Sequence, residues 1–173
     1  MRLIALHGQM GSGKTTVSNM ILNKTQGKIV KFAGPLYAIQ QYVYETTGLT
    51  LKGEKDRKLL QFIGTDWGRT IDANIWTNIF KATVKTTPES ILCVCDDVRF
   101  ENELDVIKEL NGYSIKIKRD NYDKPVNGGS INHVSEAGLD DSLFDLVIEN
   151  NGDLKSLENE INLVLENLKC GKI

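Results

Sequence analysis

A glycine-rich octapeptide, GQMGSGKT at residues 8–15, constrains this chain more than any other feature. It matches the pattern GxxxxGK[ST], follows a short apolar run at residues 3–6, and precedes Val17, Met20 and Ile21 at helical spacing. A strand, a glycine-rich loop and a helix in this order let successive backbone N–H groups face an anion, and the N-terminus of the helix adds positive potential. The sequence therefore predicts a nucleotide phosphate site in an α/β fold, against the alternative of a fortuitous glycine-rich turn.

The positions of this loop have expected tasks in binding the phosphates of ATP. Lys14 would hold the β- and γ-phosphates, and the Thr15 hydroxyl would bind Mg²⁺, the expected cofactor. The expected phosphate-binding residues are Gly8, Met10, Gly11, Ser12, Gly13, Lys14, Thr15 and Thr16. Phosphoryl transfer requires alignment and charge screening rather than a covalent intermediate, so Lys14 is also an expected catalytic residue.

Apolar runs and helical patterns alternate along the rest of the chain. The predicted strands cover residues 3–6, 29–32, 91–95, 113–118 and 143–148. The interval 35–87 lacks a strand pattern and is predicted to be helical, with two of its helices joined around residues 64–69. Residues 119–133 have the composition of a loop, and we expect them to form a lid. These patterns predict one domain over residues 1–173, with a roughly five-stranded parallel sheet and helices on both of its faces.

Composition limits the binding partners and the cellular compartment that we expect for this chain. The chain has 23 acidic and 21 basic residues and a net charge of -2, so no overall positive field draws it to nucleic acid or to an anionic membrane. Cys93 and Cys95 alternate within an apolar run, which favours buried thiols over a metal site, and the odd cysteine count argues against a disulfide framework. Without a leader or an apolar stretch of membrane-spanning length, we expect a soluble cytoplasmic protein.

Two acidic residues, Asp96 and Asp97, follow the third predicted strand. Open α/β sheets bind ligands at the carboxyl ends of their strands, so one of these carboxylates is expected to join Thr15 at the metal. Asp97 is also an expected catalytic residue. The sequence does not decide which Asp faces the metal, and either one could instead cap a turn or a helix.

Arg99 lies two positions beyond Asp97, at the same predicted crevice. We expect its guanidinium to clamp a phosphate bidentately, as a catalytic and substrate-binding group. A surface ion pair with Glu101 or Glu103 is the alternative.

Further blocks accompany the phosphate loop. They are FAGPL at residues 32–36, LQFIGTD at 60–66 with Trp76, DVR at 97–99 with Glu103 and Asp105, HVSEAGL at 133–139, and DLVI at 145–148 with Asn150 and Gly152. Over nearly its whole length, the chain resembles the deoxynucleoside monophosphate kinases of tailed bacteriophages. The resemblance implies the three-layer P-loop NTP-hydrolase/NMP-kinase fold and transfer of the ATP γ-phosphoryl group to a deoxynucleoside monophosphate (dNMP). It also implies a role in supplying DNA precursors and, for a phage-encoded chain, the host cytoplasm as the compartment. It leaves open whether the chain acts as a monomer or as a homodimer.

The resemblance further implies that the helical part at residues 35–87 binds the acceptor. The residues expected to contact the acceptor are Lys31, Phe32, Ala33, Gly34, Gln61, Asp66, Trp67, Arg69, Trp76, Arg99, His133 and Glu136. Phe32 or Trp67 would offer an aromatic face to the base, and Arg69 would clamp a phosphate. Core packing is the alternative for these two aromatic residues, and a solvated surface cation is the alternative for Arg69.

Two loops complete the expected site. In the lid, Arg119 and Lys124 would bring positive charge to the transferring phosphoryl group, with Arg119 as an expected catalytic residue and solvated loop cations as the alternative. His133 would position the lid or contact the acceptor phosphate, unless it only begins a helix. Asn150 and Gly152 follow the last strand and are expected to bind adenine, or else to form an ordinary turn.

Two other functions are compatible with the phosphate motif. A P-loop kinase of another small phosphorylated acceptor, such as a phosphomevalonate kinase, would differ only in its acceptor. A GTPase-type switch would carry an NKxD element in a late loop, but Asn23 and Lys24 lie in the first predicted helix and lack the Asp. We therefore expect an enzyme that phosphorylates dNMPs.

Overall fold

Five parallel strands form the central sheet of the protein. The structure, a computed structural model, describes residues 2–120 and 138–171. The strands are β1 (Leu3–His7), β2 (Gly27–Ile29), β3 (Leu92–Cys95), β4 (Tyr113–Lys118) and β5 (Leu146–Glu149). Their order across the sheet is β2-β3-β1-β4-β5, and every neighbouring pair is parallel. The predicted five-stranded parallel sheet is confirmed.

The central strand, β1, is buried along its whole length. Ile4 pairs with Val94 of β3 on one side and with Tyr113 of β4 on the other. A strand that is covered on both faces needs a continuous apolar run, which residues 3–6 supply. The chain therefore leaves the middle of the sheet at His7 and enters the glycine-rich loop directly.

Helices surround the sheet in the described part of the chain. The α-helices are α1 (Lys14–Lys24), α2 (Gly34–Thr47), α3 (Arg57–Gln61), α4 (Ile75–Thr86), α5 (Glu101–Glu109) and α6 (Leu154–Lys169). Phe62–Arg69 forms a π-helix, and Asp141–Leu143 forms a 3₁₀ turn.

The helices form two layers with the sheet between them. On one face, Val17 and Ile21 of α1 and Ile161 of α6 pack against the strands. On the other face, Phe80 of α4 and Ile107 of α5 do the same. The predicted three-layer arrangement is confirmed.

The predicted break between two helices around residues 64–69 is wrong. Those residues belong to the π-helix, and the break lies at residues 72–74. Gly64 and Gly68 suggested a turn, but they allow close packing instead, because added Cβ atoms would lie 2.8 Å from Leu36 Cδ1 and 2.6 Å from Trp76 Cζ2. A π-helical turn inside helical structure is often found at a functional site.

Two predicted strands are shifted along the chain. The second was expected at residues 29–32 but forms at Gly27–Ile29, because the backbone beyond it turns toward Asp97, which accepts hydrogen bonds from the N–H groups of Phe32 and Ala33. The last was expected at residues 143–148 but forms at Leu146–Glu149, after the 3₁₀ turn.

The predictions for the cysteines and for the lid can also be compared with the structure. Cys93 and Cys95 are free and fully buried, as predicted, and Cys170 is exposed. Most of the predicted lid, residues 121–133, lies outside the described residues. Within the described ranges, none of the helices has both the length and the apolar character needed to span a bilayer.

Candidate active site

The phosphate loop, residues 8–13, joins β1 to α1 at the carboxyl edge of the sheet. Gly8 has a φ of 155°, and a Cβ at this position would lie 2.3 Å from the carbonyl oxygen of Ile117. Gly13 has a φ of 107°, and a Cβ there would lie 2.5 Å from Nδ2 of Asn150. Both positions therefore require glycine, because the loop passes so close to β4 and to the segment after β5.

Lys14, the first residue of α1, folds back over this loop. Its ammonium group donates hydrogen bonds to the carbonyl oxygens of Gly8 at 2.7 Å and Gln9 at 2.9 Å. Thr15 and Thr16 occupy the first turn of α1, and the Thr15 side of the helix is exposed. The structure thus brings the predicted phosphate-binding residues together in the loop and in the first turn of the helix.

A side chain from the far edge of the sheet braces the loop. Asn150, directly after β5, donates a hydrogen bond from Nδ2 to the carbonyl oxygen of Ser12 at 2.8 Å. The Ser12 hydroxyl is buried and has no hydrogen-bond partner among the described residues. Gly152 lies at the start of α6, next to Ser156. The adenine contacts of Asn150 and Gly152 stay a prediction, but the observed bond gives Asn150 a role in holding the loop.

Asp96 and Lys31 meet at the carboxyl ends of β3 and β2. Asp96 is buried, and its Oδ1 lies 2.7 Å from Nζ of Lys31. Burial opposes the charged form of the Lys31 amine, but the adjacent Asp96 carboxylate outweighs it and raises the pKa of Lys31. A predicted metal ligand and a predicted acceptor-binding residue therefore form one charged pair beside the phosphate loop.

Asp97 holds the turn that follows β2. Its carboxylate accepts hydrogen bonds from the backbone N–H of Phe32 at 3.1 Å and of Ala33 at 2.9 Å, and Sγ of Cys95 donates to it at 3.3 Å. Burial raises the pKa of the Asp97 carboxyl, although the bond from the Ala33 amide opposes the shift. Asp97 thus binds the backbone of the turn after β2, which is the turn-capping alternative that the sequence allowed.

The site's oxygen donors fit a magnesium ion that accompanies ATP. Mg²⁺ prefers a few protein oxygens together with phosphate and water ligands. The exposed Thr15 hydroxyl is one such donor, and the Asp96 carboxylate is another, with its Oδ1 facing the Lys31 ammonium at 2.7 Å. Both oxygens of Asp97 already accept hydrogen bonds. Of the two acidic residues, Asp96 is therefore the one whose carboxylate could still hold a metal ion, and its role as a ligand stays a prediction.

Arg69, the last residue of the π-helix, is tied to α5 and the turn before it. Nη2 donates to Oε1 of Glu103 at 2.5 Å, and Nη1 donates to Oδ1 of Asn102 at 3.2 Å. The guanidinium also stacks 3.8 Å from the centre of the Phe100 ring. The Arg69 side chain is only 13% exposed, so it is not a solvated surface cation.

Glu103 is the buried partner that organises this region. Its Oε2 accepts hydrogen bonds from the backbone N–H of Arg99 at 2.7 Å and of Phe100 at 3.2 Å. Burial raises the pKa of the Glu103 carboxyl to about 7, against the opposing effect of the Arg99 amide and the Arg69 charge. In the sequence, Glu103 stands in the block around Arg99 and is the alternative ion-pair partner of that residue. A further signal for it is its position in the first turn of α5, where Glu often binds the backbone N–H groups at a helix start.

The predicted aromatic residues occupy different environments. Phe32 is 3% exposed and stacks on Phe80 with ring centroids 4.0 Å apart, which is a core-packing role. Trp76 is also buried, and its Nε1 donates to the carbonyl oxygen of Gly64 at 2.7 Å. Trp67 is 46% exposed on the π-helix, so it is the aromatic face that a base could still reach.

His7 is a buried residue that sequence reasoning missed. Its Nδ1 lies 2.8 Å from the carbonyl oxygen of Val98, and its ring stacks on Phe144 at 5.1 Å. Burial lowers the pKa of the imidazole, and the nearby charges of Lys116 and Lys14 act in the same direction. The sequence signal for a role of His7 is its position at the end of an apolar strand, immediately before Gly8.

The remaining predicted residues lie around this core of the site. Gln61 ends α3, Asp66 lies in the π-helix, and Gly34 begins α2. Arg119 is exposed just beyond β4. Lys124, His133 and Glu136 lie outside the described residues.

Family relationships agree with this geometry. The sequence pattern of the family described as deoxynucleotide monophosphate kinase matches residues 54–161, more than half of the chain. The chain belongs to this family. A protein of Acanthamoeba polyphaga mimivirus, provisionally described as a deoxynucleotide monophosphate kinase, is 30% identical over 194 aligned residues, which cover 96% of this chain and 97% of the relative.

Solved kinase structures share the fold at low sequence identity. Shikimate kinase from Aquifex aeolicus has a TM-score of 0.55 at 18% identity, with 98% of this chain and 99% of that chain covered. Dephospho-CoA kinase from Campylobacter jejuni also has a TM-score of 0.55, at 16% identity and 99% coverage of both chains. This deoxynucleotide monophosphate kinase family member therefore has a P-loop kinase fold and is a phosphotransferase.

The raised pKa of Glu103 predicts a pH-dependent stability that a Glu103→Gln variant lacks. The ordinary pKa of Glu is 4.5, and the pKa of Glu103 in the folded protein is about 7. At pH values between these two, the folded protein binds the Glu103 proton more tightly than the unfolded chain does. The free energy of unfolding should therefore fall as the pH rises from 5 to 7.5, by up to about 3 kcal/mol more in the wild type than in Glu103→Gln. Urea unfolding at several pH values measures this slope.

Glu101→Gln is the matched control, because Glu101 is exposed in the same helical turn. It should keep the wild-type slope. Parallel wild-type and Glu103→Gln curves across this range would contradict the assignment of the raised pKa to Glu103.

The bond from Asn150 to the phosphate loop predicts a selective loss of phosphate binding in Asn150→Ala. One lost hydrogen bond should weaken binding of ATP by roughly 5- to 10-fold. Because the bond acts through the loop, the affinity for inorganic tripolyphosphate should fall by the same factor. Titration calorimetry measures both affinities.

Asn151→Ala is the control, since the Asn151 amide bonds to Asp120 instead of the loop. It should leave both affinities near the wild-type values. If Asn150→Ala weakens binding of ATP but not of tripolyphosphate, Asn150 contacts adenine rather than acting through the loop.

Proposed function

We propose that the protein transfers the γ-phosphoryl group of ATP to a dNMP, giving ADP and a deoxynucleoside diphosphate for DNA synthesis. The observation that carries this proposal is the meeting of three elements at one edge of the sheet. They are the phosphate loop with Lys14, the Asp96–Lys31 pair, and the turn that leads into the helical part of the chain. Membership of the deoxynucleotide monophosphate kinase family supports a nucleoside monophosphate as the acceptor.

On the donor side, the loop amides and Lys14 bind the ATP phosphates and hold the γ-phosphoryl group in line for attack. The Ser12 hydroxyl is a further donor for a phosphate oxygen, since it has no partner among the described residues. When bound through Thr15 and Asp96, Mg²⁺ would screen the charge that develops on the phosphate oxygens. The residues themselves supply alignment and charge, and no covalent intermediate with the protein is required.

On the acceptor side, the proposal uses the turn held by Asp97 and the π-helix. Lys31 pairs with Asp96 at 2.7 Å, and we place this pair at the boundary between the donor and the acceptor. Trp67 offers an exposed aromatic face for the base, and Asp66 lies beside it in the π-helix. Phe32 supports this wall from the core, through its stack on Phe80.

Arg69 and Arg99 are the proposed cations of the crevice. Arg69 packs on Phe100 and is fixed by Glu103, which also binds the backbone N–H of Arg99. The two arginines are therefore held by one carboxylate. Arg119, exposed just beyond β4, is proposed to add positive charge at the transferring phosphoryl group.

The proposal predicts Mg-ATP-dependent ADP release with dNMPs as acceptors. Coupled assays with dTMP, dGMP, dCMP, dAMP and phosphomevalonate measure the acceptor range. At least one dNMP should turn over, and Lys14→Ala should lower kcat by roughly 100-fold or more, because Lys14 screens charge in the transition state. The same variant should lose less than about 2 kcal/mol of unfolding free energy.

Lys28→Ala is the matched control, because Lys28 is exposed in β2. It should keep wild-type kcat. If none of the four dNMPs supports ADP release, or if phosphomevalonate alone does, the proposed acceptor is rejected. The protein would then be a kinase of another substrate.

A further inference from the structure

Arg57, the first residue of α3, extends from the helical part of the chain to the phosphate loop. Its Nη2 lies 3.7 Å from Sδ of Met10, the third residue of that loop. Residues 46–57 form a polar interval without a motif of their own, so the sequence assigns no function to Arg57. The fold nevertheless brings its guanidinium to the edge of the nucleotide site.

The start of α3 is held firmly by α2. The N–H of Asp56 donates to Oε1 of the buried Gln40 at 2.8 Å, and the Tyr44 hydroxyl donates to Oδ2 of Asp56, also at 2.8 Å. Oδ1 of Asp56 then accepts the N–H of Leu59 at 3.1 Å and caps the helix. Because Arg57 follows Asp56 directly, these bonds fix the backbone from which its side chain reaches the loop.

The charge of Arg57 is not neutralised by the protein within residues 2–120 and 138–171. There its guanidinium makes one hydrogen bond, to the Met10 thioether, and it forms no ion pair. A thioether is a weak acceptor for a group with five N–H donors. Arg69 differs, because it pairs with the buried carboxylate of Glu103. A half-buried arginine that forms no ion pair with the described residues thus lies beside a loop built for phosphates.

We infer that Arg57 is a catalytic residue that binds the phosphate of the acceptor nucleotide, and this inference rests on the proposed function. Lys14 supplies positive charge from the loop and Arg57 supplies it from the helical side, so the two phosphates that must approach each other are screened from both directions. The planar guanidinium matches two phosphate oxygens at once, which a lysine cannot do. Arg57 makes and breaks no covalent bond; it donates hydrogen bonds to the acceptor phosphate, aligns its attacking oxygen and screens its repulsion with the γ-phosphoryl group.

The test compares Arg57→Ala and Arg57→Lys with Lys58→Ala. Lys58 is the next residue in α3, carries the same charge and is exposed, so it controls for net charge and for the helix itself. Steady-state assays give kcat and KM for Mg-ATP and for the best dNMP. A second readout is the rise in Tm that the dNMP causes in the presence of a non-hydrolysable ATP analogue.

For Arg57→Ala, kcat/KM for the dNMP should fall roughly 10- to 100-fold, the loss expected when a charged hydrogen-bond donor is removed. The dNMP-dependent rise in Tm should shrink or disappear. Affinity for the ATP analogue and the Tm of the unliganded protein should stay close to those of Lys58→Ala. Arg57→Lys should restore only part of the activity, because it lacks the bidentate geometry.

The inference is overturned if the wild type phosphorylates a dNMP and Arg57→Ala does so within twofold of Lys58→Ala. It is also overturned if Arg57→Ala weakens binding of the ATP analogue and leaves the KM for the dNMP unchanged, since Arg57 would then bind the donor nucleotide. If the wild type itself turns over no dNMP, the proposed function fails and the inference fails with it. These outcomes separate the two failures.

Discussion

Burial of β1 between β3 and β4 fixes the geometry of the whole site. Parallel strands end at the same edge of a sheet, so the loop after β1 lies between the segments that follow its two neighbours. One neighbour contributes Asp96 and Asp97. The other leads to β5, from which Asn150 reaches the loop. Because β1 is apolar and buried on both faces, the loop cannot move away from this edge without disrupting the core.

Two buried carboxylates convert this edge into a defined site. Asp97 binds the N–H groups of the turn after β2, and Glu103 binds the N–H groups of the turn after β3 together with the Arg69 guanidinium. Desolvation raises the pKa of both groups, so their charged forms do not stabilise the fold as much as their bonds suggest. Their effect is positional: the turn after β2 and the turn after β3 are held at fixed places beside the phosphate loop.

The sequence predicted those features that local patterns encode. The phosphate loop, the parallel sheet and the buried cysteine pair follow from residue spacing, because strands and glycine-rich turns are specified by neighbours in the chain. Gly64 and Gly68 were interpreted as a turn, since sequence alone does not distinguish a glycine needed for its φ angle from one needed for close packing. The clamp formed by Asp97, the pairing of Arg69 with Glu103 and the approach of Arg57 to Met10 join residues far apart in the chain. No local pattern encodes such contacts, and only the fold brings them together.

In the proposed reaction, the γ-phosphoryl group of ATP moves to a dNMP on this protein. The most direct test uses ATP labelled at the γ-phosphorus, with each dNMP in turn and separation of the products. We expect the label at the β-position of a deoxynucleoside diphosphate, formed in equal amount to ADP. Label recovered only as inorganic phosphate, with every dNMP unchanged, would contradict the proposed transfer to a dNMP.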